Sequence, residues 1–249
     1  MKKKKEHMEH KYFDYLDSAD DNENYFSSPI NSLNGSINLH NKMVLDVGCG
    51  TGKYISQLFR YCNPNIIGID GPTRVAHKAI QRGYKKVIKV NDLSVDRLPF
   101  KKDYFDCVIC KDVMEHLYNP LFVLSEINRV LHINGIFLFH VPNHFPLIGR
   151  LRFLFNNKLD TFSFFSSDES RWSFPHIRFF EHADIIKVFN EHGFEIVKDL
   201  SYQFPAVPIL VRFNFFNKFI RYLIKRFPNN FTSGFTFIAI KKNAYKNIK

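Results

Sequence analysis

The sequence predicts an α/β fold: a mostly parallel, seven-stranded sheet with helices on both faces. From residue 43 onward, apolar runs alternate with amphipathic segments, a pattern typical of βαβ units. The first apolar run, 43–47, leads into three glycines within five positions, which is how a strand-to-helix turn reads in such folds. With 249 residues, 45% of them apolar, the chain is long enough to bury one sizeable core.

Each predicted element follows from this alternation and from the proline and glycine residues that begin or end it. The predicted strands are 43–47, 65–69, 85–90, 104–110, 135–142, 194–204 and 234–242. The predicted helices are 52–62, 73–83, 120–131 and 181–193. Pro120 suits the first turn of its helix, and Gly83 and Gly135 stand where a helix or its turn should close.

We expect a lead-in or lid at 1–42, followed by one domain at 43–249. Residues 143–180 interrupt the alternation of strands and helices and contain many aromatic residues. They predict an insertion that lines the acceptor pocket. A second, basic amphipathic insertion is predicted at 205–230. No apolar segment follows the basic residues 1–10, so the sequence predicts a cytoplasmic protein. The four cysteines, which lack a pairing pattern, are expected to be core residues: Cys49, Cys62, Cys107 and Cys110.

The formal net charge of +11 is concentrated near one end of the sequence. Residues 205–249 contain nine Lys and Arg and no Asp or Glu. Within them, 213–227 predicts a helix with basic and polar residues on one face and large apolar residues on the other. The apolar face packs on the sheet or on a partner subunit in one interpretation. In the other, residues 209–227 make peripheral contact with an anionic membrane or a lipid-linked substrate.

The glycine turn indicates which ligand the first strand serves. Its spacing is G-C-G-T-G rather than the G-x-G-x-x-G of dinucleotide sites, and no Gly-Lys-Ser/Thr follows, which argues against NAD and ATP. Asp46, two residues before the first glycine, would repel a pyrophosphate and attract an ammonium group. Asp70, 20 residues after Gly50, can accept both hydroxyls of a ribose. A nucleoside with a cationic amino-acid arm satisfies both acids, and S-adenosylmethionine is such a molecule.

Five motifs, in order, resemble those of class I S-adenosylmethionine-dependent methyltransferases of the type-11 subgroup, which have a Rossmann-like fold. They are "VLDVGCGTG", "GID", "NDLSVDRLPF", "YFDCVICKDVMEHL" and "LFVLSEINRVLHINGIFLFHVPN". The resemblance implies that the glycine turn holds the methionine arm, the second strand's end the ribose, and the third motif the adenine. The implied cofactor-binding residues are Asp46, Gly48, Cys49, Gly50, Asp70, Gly71, Asp92, Leu93 and Lys111.

Methylation of an alcohol needs a base within hydrogen-bond reach of the acceptor. "DVMEH" puts Asp112, Glu115 and His116 at spacings that one helical turn brings together. His116 is the first choice for the base, His176 in "PHIRFF" the second, and His140 the weakest candidate because a core strand surrounds it. Asn143 and His144 belong to the same set of candidates. We therefore predict His116, His176 and Asp112 as catalytic residues.

The sequence predicts no resident metal, although one alternative stays open. Asp112, Glu115, His116 and His176 are similar to the Glu-x-x-Glu-His plus His pattern of ubiquinone-pathway O-methyltransferases and small-RNA 2′-O-methyltransferases. Two carboxylates and two imidazoles could ligate a divalent ion that acidifies a hydroxyl. Aspartate replaces the first glutamate of that pattern, which shortens its reach.

The expected reaction is O-methylation of a small-molecule, sugar or lipid-linked acceptor, such as a surface-glycan precursor or a quinone. Nucleic acid ranks below these because the excess positive charge lies away from the motifs in the sequence. RNA 2′-O-methylation is therefore the alternative activity. A non-catalytic partner subunit that binds S-adenosylmethionine is the non-enzymatic alternative, and the acids and histidines of "DVMEHL" argue against it.

Overall fold

The structure is a computed structural model that describes residues 39–56, 63–71, 73–156, 176–203, 206 and 214–244. Seven strands form one sheet in the order β3-β2-β1-β4-β5-β7-β6. The strands are β1 (Met43–Val47), β2 (Asn65–Asp70), β3 (Lys86–Lys89), β4 (Phe105–Lys111), β5 (Leu131–Pro142), β6 (Phe194–Asp199) and β7 (Gly234–Lys241). Only the pairings of β7, with β5 and with β6, are antiparallel among those described. The predicted α/β fold with a mostly parallel sheet is confirmed.

Helices lie between the strands along the chain. They are α1 (Lys53–Ser56), α2 (Thr73–Gln81), α3 (Pro120–Val130), α4 (Leu147–Asn156), α5 (His182–Glu191), α6 (Asn214–Arg226) and α7 (Pro228–Phe231). Short 3-10 turns occur at Met114–His116 and Ser201–Gln203. Pro120 begins α3 as predicted, and the Asn119 side chain caps that helix by accepting a hydrogen bond from Phe122 N. Among the described residues, no helix combines the length and the apolar character that crossing a membrane requires.

The contacts of the chain divide it into two compact units, 1–91 and 92–249. In the first unit, β1, β2 and β3 are parallel neighbours, and their inward residues Val44, Ile66 and Ile69 are completely buried. Tyr84, which follows α2, is buried as well. These apolar strands need both faces covered, which explains why they read as near-continuous apolar runs.

In the second unit, β4, β5, β7 and β6 surround a core rich in phenylalanine. Phe137 of β5 stacks on Phe189 of α5 with ring centroids 5.4 Å apart, and Phe194 of β6 lies 5.1 Å from Phe137. Cys107 and Cys110 are buried free thiols, as expected of core residues. The aromatic core fixes α5 and β6 against β5, whose carboxyl end carries candidate site residues.

Two predicted boundaries differ from the structure by more than two residues, and both errors have a local cause. β5 begins at Leu131 rather than at 135. Its pairing with β4 is irregular near this start, where Asn134 adopts a left-handed φ of +62°. The left-handed turn residue is therefore Asn134 and not Gly135. The strand predicted at 194–204 ends at Asp199, whose carboxylate accepts a hydrogen bond from Ser201 N and begins the 3-10 turn.

The predicted segments are only partly described. Of the lead-in at 1–42, the structure describes 39–42. Of the insertion at 143–180 it describes 143–156 and 176–180, and of 205–230 it describes 206 and 214–230. Cys62 and the second half of the helix predicted at 52–62 lie outside the described residues. The basic helix predicted at 213–227 is present as α6.

Candidate functional site

The glycine turn after β1 has the backbone geometry that its composition predicts. Gly48, Gly50 and Gly52 adopt φ values of +70°, +49° and +77°, a region that residues with a Cβ rarely occupy. A Cβ on Gly50 would meet no atom within 4 Å, so this glycine faces open space. A Cβ on Gly52 would lie 2.7 Å from the Tyr84 ring. Gly50 therefore leaves room for a ligand, whereas Gly52 permits close packing inside the unit.

Asp70 lies beside this turn, as expected of a ribose-binding acid. Its carboxylate accepts a hydrogen bond from Gly50 N at 2.7 Å. Burial raises the pKa of Asp70, and hydrogen bonds from the backbone at Gly50 and Gly71 offset part of that effect. The Gly71 Cα has ample room, because a Cβ there would meet only Val90 O at 3.7 Å. An acid, two glycines and exposed backbone thus meet at one edge of the first unit, which fits a nucleoside ligand.

Asp46 and Cys49 are buried, and their side chains help to hold the glycine turn in place. The Tyr84 hydroxyl donates a 2.6 Å hydrogen bond to the buried Asp46 carboxylate. Cys49 turns its side chain toward Gly68 of β2, where any Cβ would lie 2.6 Å from the thiol sulfur. Burial, followed by the charge of Asp46, raises the pKa of the Cys49 thiol, so this cysteine is no nucleophile at neutral pH. Sequence reasoning missed Tyr84, since only the fold brings it to Asp46.

Asp92 and Leu93, expected near the adenine, begin the second unit. The Asp92 side chain accepts a hydrogen bond from Ser94 N at 2.8 Å, and its backbone N donates to the Asp96 carboxylate. This is an Asx turn, so the carboxylate of Asp92 stabilises the local backbone. The Ser94 hydroxyl accepts a hydrogen bond from Tyr118 N, which ties the turn to the residues after Met114–His116.

Lys111, the last residue of β4, and Asp112, which follows it, form a close ion pair. The Lys111 ammonium donates to the Asp112 carboxylate, and Asp112 adopts a left-handed φ of +54°. His140 Nε2 lies 3.5 Å from the other carboxylate oxygen. Burial alone would raise the pKa of Asp112, but the charge and the hydrogen bond of Lys111 outweigh burial and lower the pKa. Asp112 is therefore an anion with two fixed partners.

His140 is held in one orientation by β7. Its Nδ1 lies 2.6 Å from the Thr236 hydroxyl, and a Cβ on Gly234 would come within 2.6 Å of its ring. Burial lowers the pKa of His140 to about 4, so the imidazole is neutral at pH 7. The ring thus presents Nε2 to Asp112 while Thr236 fixes the opposite nitrogen.

A second group of side chains gathers around the 3-10 turn Met114–His116. Glu115 is completely buried, and neither of its carboxylate oxygens accepts a hydrogen bond from any residue that the structure describes. His116 Nε2 lies 3.9 Å from Glu115 Oε1. The His116 and His176 rings meet edge to face with centroids 4.6 Å apart. We call Glu115, His116 and His176 the histidine–glutamate cluster.

The backbone explains how His176 reaches residues 60 positions earlier. Glu115 O accepts hydrogen bonds from Ile177 N at 2.8 Å and from Arg178 N at 3.1 Å. His144 Nε2 lies 2.7 Å from His176 Nδ1 and so steadies the second imidazole. The structure therefore brings together the two histidines that the sequence predicts as candidate bases. His144 was one of several candidates, and no periodicity indicated its pairing with His176.

The electrostatics of the cluster suit a bound cation. Burial, with the charge of Asp112, raises the pKa of Glu115 well above its usual range. Burial also lowers the pKa of His144 to about 4 and that of His176 to about 3, so both imidazoles are neutral. The cluster's ligand atoms all lie within 4.8 Å of one another. One carboxylate and two imidazoles form a donor set for a first-row divalent ion, and Asp112 is not needed for it.

An apolar cavity of about 100 Å³ lies between α3 and α5, lined in part by Met114, Phe139 and Phe180. Phe139 and His140 leave β5 on opposite faces, because successive strand residues alternate. The cavity is therefore on the face away from His140. Of the insertion expected to line the acceptor pocket, only Phe180 borders this cavity within the described residues.

Comparison with known proteins agrees with this geometry. Residues 45–139 match the family model described as a methyltransferase domain. The seven-stranded fold is that of class I methyltransferases, and residues 45–139, which carry the glycine turn, resemble their S-adenosylmethionine-dependent domain. Within that class, residues 45–139 match the type-11 methyltransferase domain.

Relatives and solved structures share this domain. The chain is 33% identical over 107 residues to the tRNA U34 carboxymethyltransferase of Campylobacter curvus, covering 42% of this chain and 36% of the relative. It is 30% identical over 127 residues to the ubiquinone biosynthesis O-methyltransferase of Haemophilus ducreyi, covering 48% and 51%. It thus spans about half or less of the length of these two relatives. A structure of the Haloferax volcanii Trm112 methyltransferase activator in complex with a methyltransferase matches with a TM-score of 0.62 at 16% identity, covering 92% and 96%.

Proposed function

We propose that this protein transfers the methyl group of S-adenosylmethionine to a hydroxyl of a small or lipid-linked acceptor. The observation that carries the proposal is Glu115, a buried carboxylate without a described hydrogen-bond donor, beside His116 and His176. In the reaction the sulfonium–carbon bond breaks, an oxygen–carbon bond forms, and the hydroxyl proton leaves to a base. The products are the methyl ether and S-adenosylhomocysteine.

The donor binds at the glycine turn in this proposal. Gly48 and Gly50 offer backbone to the methionine arm, and the left-handed φ values with the open space at Gly50 support that role. Asp70 exchanges its hydrogen bond from Gly50 N for the ribose hydroxyls. Asp46, held by Tyr84, organises the turn. Asp92 and Leu93 contact the adenine, and Lys111 supplies backbone near the sulfonium.

The acceptor hydroxyl binds at the histidine–glutamate cluster. Glu115, His116 and His176 would hold a divalent cation there, whose Lewis-acid character would favour the ionised hydroxyl. Glu115 supports this role, because a buried carboxylate that lacks hydrogen-bond donors is stabilised by a positive charge. His144 orients His176 through their 2.7 Å contact. The hydroxyl proton would pass to water, and Asp112, held by Lys111 and His140, provides a fixed negative charge close to the cluster.

The cation is tested on the purified protein in two ways. Mn²⁺ binding is measured by titration calorimetry after chelation, and methyl transfer to a panel of hydroxylated acceptors is measured with and without the chelator. We expect Mn²⁺ binding that Glu115→Gln abolishes, and turnover at least about 100-fold lower in that variant. Glu191→Gln, an exposed substitution on α5, is the matched control. Full activity after chelation would contradict the cation and leave His116 as the base.

The activity itself is tested with isotopically labelled S-adenosylmethionine and cell extract separated into lipid, small-molecule and RNA fractions. Label in an ether of the lipid or small-molecule fraction supports the proposal. Cofactor binding without label in any fraction supports the non-catalytic partner subunit instead.

RNA modification is the second candidate, and the comparisons keep it open. The Campylobacter curvus relative is named for action on tRNA, and the chain carries a formal net charge of +11. RNA binding by this charge would weaken steeply with salt. Label in the RNA fraction, with salt-dependent retention of tRNA by the protein, would replace the hydroxylated small molecule by RNA as the acceptor.

A further inference from the structure

Two helices of the second unit are joined through a third. α4 and α6 both contact the short helix α7. Arg150 of α4 also donates a hydrogen bond to the Asn230 side chain of α7. α6 and α7 are consecutive, separated only by Phe227. α4 and α6 therefore both pack beside α7, and we call the exposed side chains of these two helices and of Phe227 the α4–α6 surface.

The α4–α6 surface exposes large apolar side chains. On α4, Leu154 is 70% exposed and Phe155 is 77% exposed. On α6, Phe219 is 60% exposed and Tyr222 is 62% exposed. The further exposed apolar residues of this surface are Leu151, Phe153 and Phe227. Ile224 of α6, by contrast, is buried. Apolar patches of this kind on a folded domain mark an interaction site.

The charge on this surface has one sign. α4 carries Arg150 and Arg152, and α6 carries Arg221, Lys225 and Arg226 among its described exposed residues. The segments 143–156 and 205–231 contain no Asp or Glu. The partner that fits is therefore anionic as well as apolar.

We propose that the α4–α6 surface docks on a lipid bilayer that contains anionic lipids. The leucine and phenylalanine side chains enter the boundary between headgroups and acyl chains, while the arginines and lysines lie at the phosphates. Aliphatic side chains favour lipid over single-stranded nucleic acid, since Leu151 and Leu154 cannot stack on bases as aromatic rings do. The absence of acids on these segments suits a surface whose charge is uniformly negative.

The α4–α6 surface borders the histidine–glutamate cluster. Phe145 precedes α4, and its ring lies 5.2 Å from that of Phe179, which in turn lies 5.0 Å from His144. His144 contacts His176 of the cluster. Docking would hold the cluster close to the headgroups, so the acceptor is a lipid headgroup or a lipid-linked molecule. This last step rests on the proposed methyl transfer, whereas the docking itself does not.

The docking test is flotation of the full chain with vesicles, without S-adenosylmethionine or acceptor. Vesicles of phosphatidylcholine alone are compared with vesicles in which about one third of the lipid is phosphatidylglycerol. We expect binding to the anionic vesicles that weakens with salt and falls at least tenfold in the double variant Leu154→Ser, Phe155→Ser. The control is Ile133→Ser, an exposed apolar residue outside the α4–α6 surface. Unchanged S-adenosylmethionine affinity verifies that the variants are folded.

Three results would overturn the docking. One is the absence of binding to anionic vesicles, and another is equal binding by wild type and the double variant. The third is that the double variant loses tRNA binding or a concentration-dependent dimer while vesicle binding stays unchanged, which would assign the surface to RNA or to a second copy. Because the flotation test measures no methyl transfer, the docking proposal can hold even if the proposed activity fails. If the double variant loses vesicle binding but still methylates a soluble acceptor, docking and catalysis are separate properties.

Discussion

The glycine turn and the histidine–glutamate cluster are built in opposite ways. The turn takes its shape from consecutive residues, 46–52, and offers mainly backbone to a ligand. The cluster offers side chains, and it draws Glu115 and His116 from one segment and His176 from another 60 residues away. A ligand site made of backbone depends on local conformation, whereas one made of side chains depends on the fold. Substitutions should therefore affect binding at the first and chemistry at the second.

The largest effect on cofactor binding is expected on the donor side. Asp70→Asn should weaken S-adenosylmethionine binding about thirtyfold, because the charged acceptor of the ribose hydroxyls is lost. Calorimetric titration of the purified protein measures it, with the exposed Glu195→Gln as the control for charge. An affinity within twofold of wild type would show that the turn binds the cofactor without this acid.

Stability should depend on pH through the second unit. His140, which faces Asp112 and Lys111 from β4 and Thr236 from β7, has a pKa of about 4 in the folded protein against about 6.5 unfolded. The unfolded chain therefore binds more protons between these values, and His140 alone should lower the free energy of unfolding by about 2 kcal/mol from pH 7 to pH 5. His144 and His176, whose pKa values are also lowered, add to the fall in the same window. Urea unfolding at both pH values tests this, and His140→Gln should make the fall smaller by about 2 kcal/mol. If the free energy of unfolding of the variant falls as much as that of the wild type, the pH dependence comes from other groups.

Thr236→Val should affect catalysis on the acceptor side without affecting cofactor binding at the glycine turn. The substitution keeps the volume of the side chain but removes the hydroxyl that fixes His140 Nδ1. We expect kcat to fall about tenfold, with little change in the S-adenosylmethionine affinity. Steady-state kinetics separates the two. A change in cofactor affinity with unaltered kcat would contradict a positioning role for Thr236 and His140.

The smallest effect is expected at Tyr84, beneath the glycine turn. Tyr84→Phe removes the hydrogen bond to the buried Asp46 carboxylate and should cost about 1 to 2 kcal/mol of unfolding free energy. The S-adenosylmethionine affinity should fall only a few-fold, because the glycines keep their conformation. Thermal unfolding and titration measure both quantities. Loss of cofactor binding comparable to that in Asp70→Asn would show that Asp46 contacts the ligand directly.

The fold and the donor side could be predicted from the sequence because their signals are local. Apolar periodicity indicated all seven strands, and the spacing of Gly48, Gly50 and Asp70 indicated the ligand. The turn residue Asn134 escaped prediction, since an asparagine can replace glycine at a left-handed position. The pairings of Tyr84 with Asp46 and of His144 with His176 also escaped, because residues 38 and 32 positions apart meet only through tertiary packing.

The position of β7 sets an order of events during synthesis. β7 lies between β5 and β6, although both precede it in the chain, and β6 pairs with no other strand in the part that the structure describes. Lys241, buried at the end of β7, donates to Asp103 and to Leu131 O, so it joins residues 138 positions apart. The sheet of the second unit therefore cannot close until the ribosome has released residue 241. Until then β6 lacks the strand it pairs with, and its backbone edge stays unpaired.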